Sequence, residues 1–93
     1  MAATVIRRLV IKGRVQGVGF RYTLADEARA LGLRGWVRNR RDGDVEAIVE
    51  GSAPDVDAII GWAHKGPPSA MVSAVSVEPA TGEFDGFEII PTI

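Results

Sequence analysis

The spacing of apolar residues changes along the chain, and each change marks an element. From Thr4 to Lys12 the pattern has period two, with Leu9 and Ile11 on one side and Arg8, Val10 and Lys12 on the other, which predicts a strand. From Phe20 to Leu31 the period becomes helical: Phe20, Leu24, Ala28 and Leu31 share one face, and Gly32 stands where a left-handed C-terminal stop is expected. Arg34–Arg40 and Asp44–Glu50 read as a second and a third strand flanking Arg41-Asp42-Gly43. Asp-Gly between alternating segments predicts a hairpin with a type I′ turn, in which both residues take positive φ. In the third strand Val45, Ala47 and Val49 alternate with Glu46 and Glu50, so one face should be dry and the other solvated. A second helix should start near Ser52, which has capping-box spacing to Asp55 and is followed by Pro54 in the first turn. Its stripe is Val56, Ile59, Ile60 and Ala63, and Gly66-Pro67-Pro68 ends it. A fourth strand over about Val72–Glu78, with Val75 and Val77, and a short last one over Phe87–Ile90 complete the pattern.

This order, βαββαβ with a short terminal extension, predicts an α+β fold of the ferredoxin-like kind: a four-stranded antiparallel sheet with both helices on one face. A chain of 93 residues has room for one core and shows no repeat, low-complexity stretch or linker, so residues 1–93 are expected to form a single domain. The architecture alone leaves the function open, since it also carries RNA-binding, metal-binding and regulatory domains.

The chemistry concentrates in the join between the first strand and the first helix, Gly13-Arg14-Val15-Gln16-Gly17-Val18-Gly19-Phe20-Arg21. Three glycines permit backbone angles that turn successive N–H groups to one side, and the following helix adds its unpaired first-turn N–H groups and positive dipole end. Such a concavity suits a phosphate or another small anion, and Arg21 could grip two of its oxygens. The plain alternative is an ordinary strand-to-helix turn with a solvated Arg. No Lys-Ser or Lys-Thr follows the last glycine, which excludes a nucleotide P-loop, and the glycine spacing departs from the G-x-G-x-x-G dinucleotide fingerprint.

Charge sharpens this reading. Net charge is only −1, yet residues 1–43 hold ten of the eleven Lys and Arg with three acids, while residues 44–93 hold one Lys with nine acids. The positive half contains the glycine-rich join, which favours a small anionic ligand. The balance of the whole chain argues against nucleic acid. There is no cysteine, hence no thiol nucleophile or disulfide, and no apolar run reaches the roughly 20 residues needed to span a bilayer. With no signal-peptide core at the N-terminus, a cytoplasmic location is expected. His64, the only histidine, reads as a partly exposed capping residue at the end of the second helix; no second ligand accompanies it at metal spacing. Asp55, Asp57, Glu46 and Glu50 read as solvated faces. Asn39, beside the hairpin, is either a turn former or a side-chain amide able to position water against a bound phosphorus. With no Ser-His-Asp pattern and no carboxylate pair, any reaction here should depend on positioning and charge neutralisation more than on proton transfer.

The join from Gly13 to Arg21, followed by Gly35-Trp36-Val37-Arg38-Asn39 and Asp42-Gly43, and further on by Lys65-Gly66-Pro67-Pro68 and Phe84-Asp85-Gly86-Phe87-Glu88-Ile89, closely resembles the acylphosphatase family over essentially the whole chain. The resemblance implies a ferredoxin-like fold and hydrolysis of the carboxyl–phosphate bond of acylphosphates without metal or cofactor. Carried over by position, it implies that the backbone of Val15, Gln16, Gly17, Val18, Gly19 and Phe20 cradles the phosphate, that Arg21 binds its oxygens, and that Asn39 orients the attacking water, with no phosphoenzyme. Arg40 departs from the Thr that vertebrate members carry at that position, and the tail Pro91-Thr92-Ile93 lacks the basic or aromatic ending of many relatives. The expected partners are small acylphosphates, such as acetyl phosphate, carbamoyl phosphate or 1,3-bisphosphoglycerate, and inorganic phosphate. A monomer that binds neither nucleic acid nor membrane is expected. One rival is a phosphate- or carbamoyl-phosphate-binding module without turnover of its own, as at the start of larger carbamoyl-transferring maturation proteins; Met1 and the short tail favour a stand-alone enzyme. Another is an RNA-recognition sheet, which would need aromatic stacking residues on a central strand. Ile6 to Gly13 has none.

Overall fold

A computed structural model describes residues 3–93. The strand with the period-two pattern, β1 (Thr4–Arg14), lies inside a sheet and pairs antiparallel with two partners. Its order of neighbours is β4-β1-β3-β2-β5, where β2 is Arg34–Asn39, β3 is Val45–Ser52, β4 is Met71–Pro79 and β5 is Phe87–Ile89. The helices are α1 (Phe20–Ala30) and α2 (Ala53–Ala63). The fold is α+β and ferredoxin-like, as expected, with one correction: the sheet has five strands, not four, and is not wholly antiparallel. β5 pairs parallel to β2, with Gly35 opposite Phe87 and Val37 opposite Ile89. Phe87 is buried, and this apolar anchor is enough to turn a three-residue terminal segment into an edge strand.

Both helices cover one face. Leu9, Ile11, Val37, Val45, Ala47 and Val49 from the strands meet Phe20, Leu24, Ala25 and Ala28 of α1 and Val56, Ile59 and Ala63 of α2 in one core. Those α1 residues, with half-buried Leu31 beyond them, make the helical stripe read from the sequence. Ser52 caps α2, its hydroxyl accepting from the Asp55 N–H at 3.4 Å, and Nδ1 of the exposed His64 lies 2.9 Å from the Ile60 carbonyl at the other end. An edge-to-face contact of Phe20 with Trp62, centroids 5.3 Å apart, fixes the start of α1 against the end of α2.

Two local expectations fail. Of Asp42 and Gly43 only Gly43 has positive φ, at 99°, so the hairpin turn is not type I′. Instead the Gly43 N–H donates to the Arg40 carbonyl and the Arg40 N–H to the Asp44 carbonyl, with the Asp42 carboxylate accepting from the Asp44 N–H at 3.0 Å. The extra residue, Arg41, makes the loop long enough for this wider turn. Nor are Glu46 and Glu50 solvated. Glu46 is only 4% exposed, because Arg8 and Arg38 lie across it with contacts of 2.6 and 2.8 Å, and Arg34 covers Glu50 at 2.8 Å. Burial alone would push the Glu46 carboxyl up; hydrogen bonds from Arg38 and Arg8 outweigh it and hold the group below the usual glutamate range. No helix among the described residues is long and apolar enough to cross a membrane.

Candidate active site

β1 ends at Arg14, and five residues later Gly19 starts α1 as its N-cap in the left-handed region, φ 78° and ψ 15°, with no side chain closing the cap. Gly17 also has positive φ, at 73°. A residue with a Cβ would be strained at either position, which is why glycine occupies both. The consequence is a run of backbone donors: from Gln16 to Tyr22 no N–H donates to a protein acceptor among the described residues, and the first helical bond is Thr23 N–H to the Gly19 carbonyl at 3.0 Å. Five of these seven residues, Gly17, Gly19, Phe20, Arg21 and Tyr22, line a cavity of about 140 Å³ together with Val15 and Asn39, at the positive end of the α1 dipole.

Side chains complete the wall. Val15 and Phe20 are buried and hold the two ends of the loop in the core. Arg21, in the first turn of α1 and half-buried, meets no carboxylate and donates no hydrogen bond among the described residues. Its guanidinium lies 5.7 Å from the Tyr22 ring centroid. Asn39 comes from the last residue of β2, on the same pleat as fully buried Val37, and therefore faces the helix side of the sheet and the loop. Its side chain takes no part in the hairpin turn, where Asp42 supplies the polar group. Asn39 Oδ1 is instead the only buried side-chain polar atom without a partner among the described residues.

Of the residues singled out in the sequence, Val15, Gly17, Gly19, Phe20, Arg21 and Asn39 thus converge on one cavity. Gln16 and Val18 contribute differently. Val18 packs against the core, and the Gln16 side chain turns away to donate to the carbonyls of Arg40 at 2.6 Å and Asp44 at 3.0 Å. That pair of bonds ties the loop to the hairpin carrying Asn39. Tyr22 was not foreseen; the available signal was an aromatic residue two positions after Phe20, off the buried stripe of its helix. The tail was not foreseen either: the Ile93 N–H donates to the Asn39 carbonyl and the Arg41 N–H to the Ile93 carbonyl, at 3.2 and 2.7 Å. Arg40 points to the opposite face of the sheet and pairs with Asp42 at 3.0 Å. There it borders a larger hollow of about 430 Å³ with Arg8, Arg38 and Arg41, but Arg8, Arg38 and Arg40 are already paired with Glu46, Glu78 and Asp42. The smaller cavity has a free guanidinium and free N–H groups with no acid beside them.

The family model for Acylphosphatase matches residues 7–89. The chain belongs to the acylphosphatase family. An acylphosphatase of Albidiferax ferrireducens is 52% identical over 87 residues, covering 94% of this chain and 95% of its own. An acylphosphatase structure from Coxiella burnetii superposes with a TM-score of 0.90 at 33% identity, over 94% of this chain and 93% of that one. A full-length HypF structure, described as phosphate- and nucleotide-bound, matches with a TM-score of 0.89 at 30% identity over 99% of this chain but only 12% of its own length. The activity that follows from this family is hydrolysis of acylphosphates to a carboxylate and inorganic phosphate.

Proposed function

We propose that the 140 Å³ cavity holds the phosphoryl group of a small acylphosphate, and that water held by Asn39 attacks the phosphorus without a metal ion. The observation that carries the reading is the coincidence, around one cavity, of unpartnered N–H groups, an unpaired Arg21 and the orphaned amide of Asn39. The loop and α1 N–H groups take the non-bridging oxygens, and Arg21 adds a planar fork able to hold two of them. Asn39, anchored at the rim of the sheet, binds the incoming water. The oxygen–phosphorus bond to water forms as the bond to the carboxylate oxygen breaks. The electron pair leaves with the carboxylate, and the water protons end on phosphate, giving dihydrogen phosphate from the acylphosphate dianion. A carboxylate needs no acid to leave, so positioning and charge neutralisation are sufficient work for a site without a titrating base.

We further propose that residues 1–93 form one domain and act on small molecules in the cytoplasm as a monomer. The test of the site is hydrolysis of acetyl phosphate by the purified protein in excess chelator, with inorganic phosphate as a competitive inhibitor. Phosphate should also raise stability, by about 2.7 kcal/mol at 100 times its dissociation constant. Turnover lost to chelator would remove the metal-free mechanism. A melting temperature indifferent to phosphate would remove the cradle.

A further inference from the structure

A cavity of about 140 Å³ is large enough for a tetrahedral phosphate with a water beside it, and a phosphate seated against the loop occupies much of that space. If the cavity takes the phosphoryl group, as proposed above, the acyl group must project past the rim. Tyr22 stands there. It is the one exposed large apolar side chain among Tyr22, Met71, Val77 and Ile93 that lines this cavity, and it is 63% exposed. Nothing in the packing of α1 requires an aromatic residue at this position, since the buried stripe runs through Phe20, Leu24, Ala25 and Ala28. The ring is also registered against the anion-binding group: the Arg21 guanidinium is 5.7 Å from its centroid. The guanidinium lies over one face of the ring, so a charged and an uncharged group adjoin at the cavity, as they do in an acylphosphate.

We infer that the Tyr22 ring is the acyl-group contact of the site and makes it select acylphosphates with planar, unsaturated acyl groups over small aliphatic ones. A flat π-system can lie against the ring or meet its edge, whereas a methyl group covers little of it. The contact is made to a part of the substrate that keeps its shape through the reaction. It therefore acts equally on ground and transition states and belongs in KM, not in kcat.

The test compares benzoyl phosphate with acetyl phosphate in the parent protein, Tyr22→Phe and Tyr22→Ala. Differences in intrinsic reactivity cancel when each variant's benzoyl-to-acetyl ratio of kcat/KM is divided by the parent's. Tyr22→Ala should lower that preference about three- to tenfold, through a raised KM for benzoyl phosphate. Tyr22→Phe, which keeps the ring, should hold it within about twofold. An unchanged preference in Tyr22→Ala would overturn the inference, as would equal losses for both substrates or a Phe variant that behaves like Ala. A parent protein that hydrolyses neither substrate would overturn the phosphoryl-site reading itself, a result distinct from an active parent with an indifferent Tyr22.

Discussion

Asn39→Ala should separate stability from activity with opposite signs. The Oδ1 atom is buried without a protein hydrogen-bond partner, and such an atom costs about 1–3 kcal/mol when no water reaches it. Truncation removes that cost. It opens little new void, because the side chain already borders the cavity, and it breaks no bond in the hairpin, where the backbone and Asp42 do the holding. Against the gain stand lost van der Waals contacts and a strand-propensity term, each under about 1 kcal/mol. The net expectation in phosphate-free buffer is a variant as stable as the parent or up to about 2 kcal/mol more stable, which at this chain length corresponds to a melting point higher by roughly 4–8 °C per kcal/mol. Turnover should fall by about 10²–10³, the usual effect of removing one positioning hydrogen-bonding group. Inorganic phosphate should still inhibit, since the loop and Arg21 remain. The assay is thermal and urea unfolding without ligand, together with kcat, KM and the phosphate inhibition constant. Destabilisation beyond about 1 kcal/mol without ligand would mean that the side chain supports the hairpin, and the argument from the orphaned oxygen would fail.

Arg21→Lys should lose about 10²–10³ in kcat/KM while melting like the parent, because Arg21 makes no protein hydrogen bond and one ammonium cannot replace the fork; near-parental turnover would sink the bidentate geometry. Gln16→Ala removes the two bonds to Arg40 and Asp44 and should cost about 1–3 kcal/mol and weaken phosphate inhibition, both read by melting and inhibition assays. A variant unchanged in both would show that the loop does not need its tether. The Glu46 carboxyl is held below its ordinary range, so its contribution is present above about pH 4.3 and lost as pH falls through the folded value. The stability gap between parent and Glu46→Gln, about 1–3 kcal/mol at pH 7 by urea unfolding, should therefore close in acid; a gap independent of pH would contradict the ion-pair assignment.

The elements with strong periodicity were legible. Phe20, Leu24 and Ala28 define α1, and Ser52 with Asp55 fixes the start of α2, because capping and apolar spacing are local properties. What escaped was decided by partners distant in the chain. Glu46 looks solvent-facing in its strand, yet arginines 38 and 8 residues away in sequence cover it. The short last strand is legible over Phe87–Ile90, but its place in the sheet, parallel to β2 at the edge, depends on a partner about 50 residues earlier and is announced by nothing within Phe87–Ile89. At the site, glycines and Arg21 gave themselves away by type and spacing. The inward direction of Asn39 depended on the pleat of β2, and the role of the Gln16 side chain depended on carbonyls 24 and 28 residues further on.

The placement of β1 and β5 also governs how the protein comes into being. β1 is made first but finds partners only at residues 45–52 and 71–79, and the strand bearing Asn39 gains its outer neighbour only with residues 87–89. On a ribosome that adds about 5–20 residues per second, the glycine loop therefore waits several seconds beside a hairpin that cannot yet be flanked. Closing such distant pairings is the slow part of folding for sheets of this type. The loop and Asn39, which leave the ribosome early, are brought face to face only after β3 has been made and has paired with both β1 and β2.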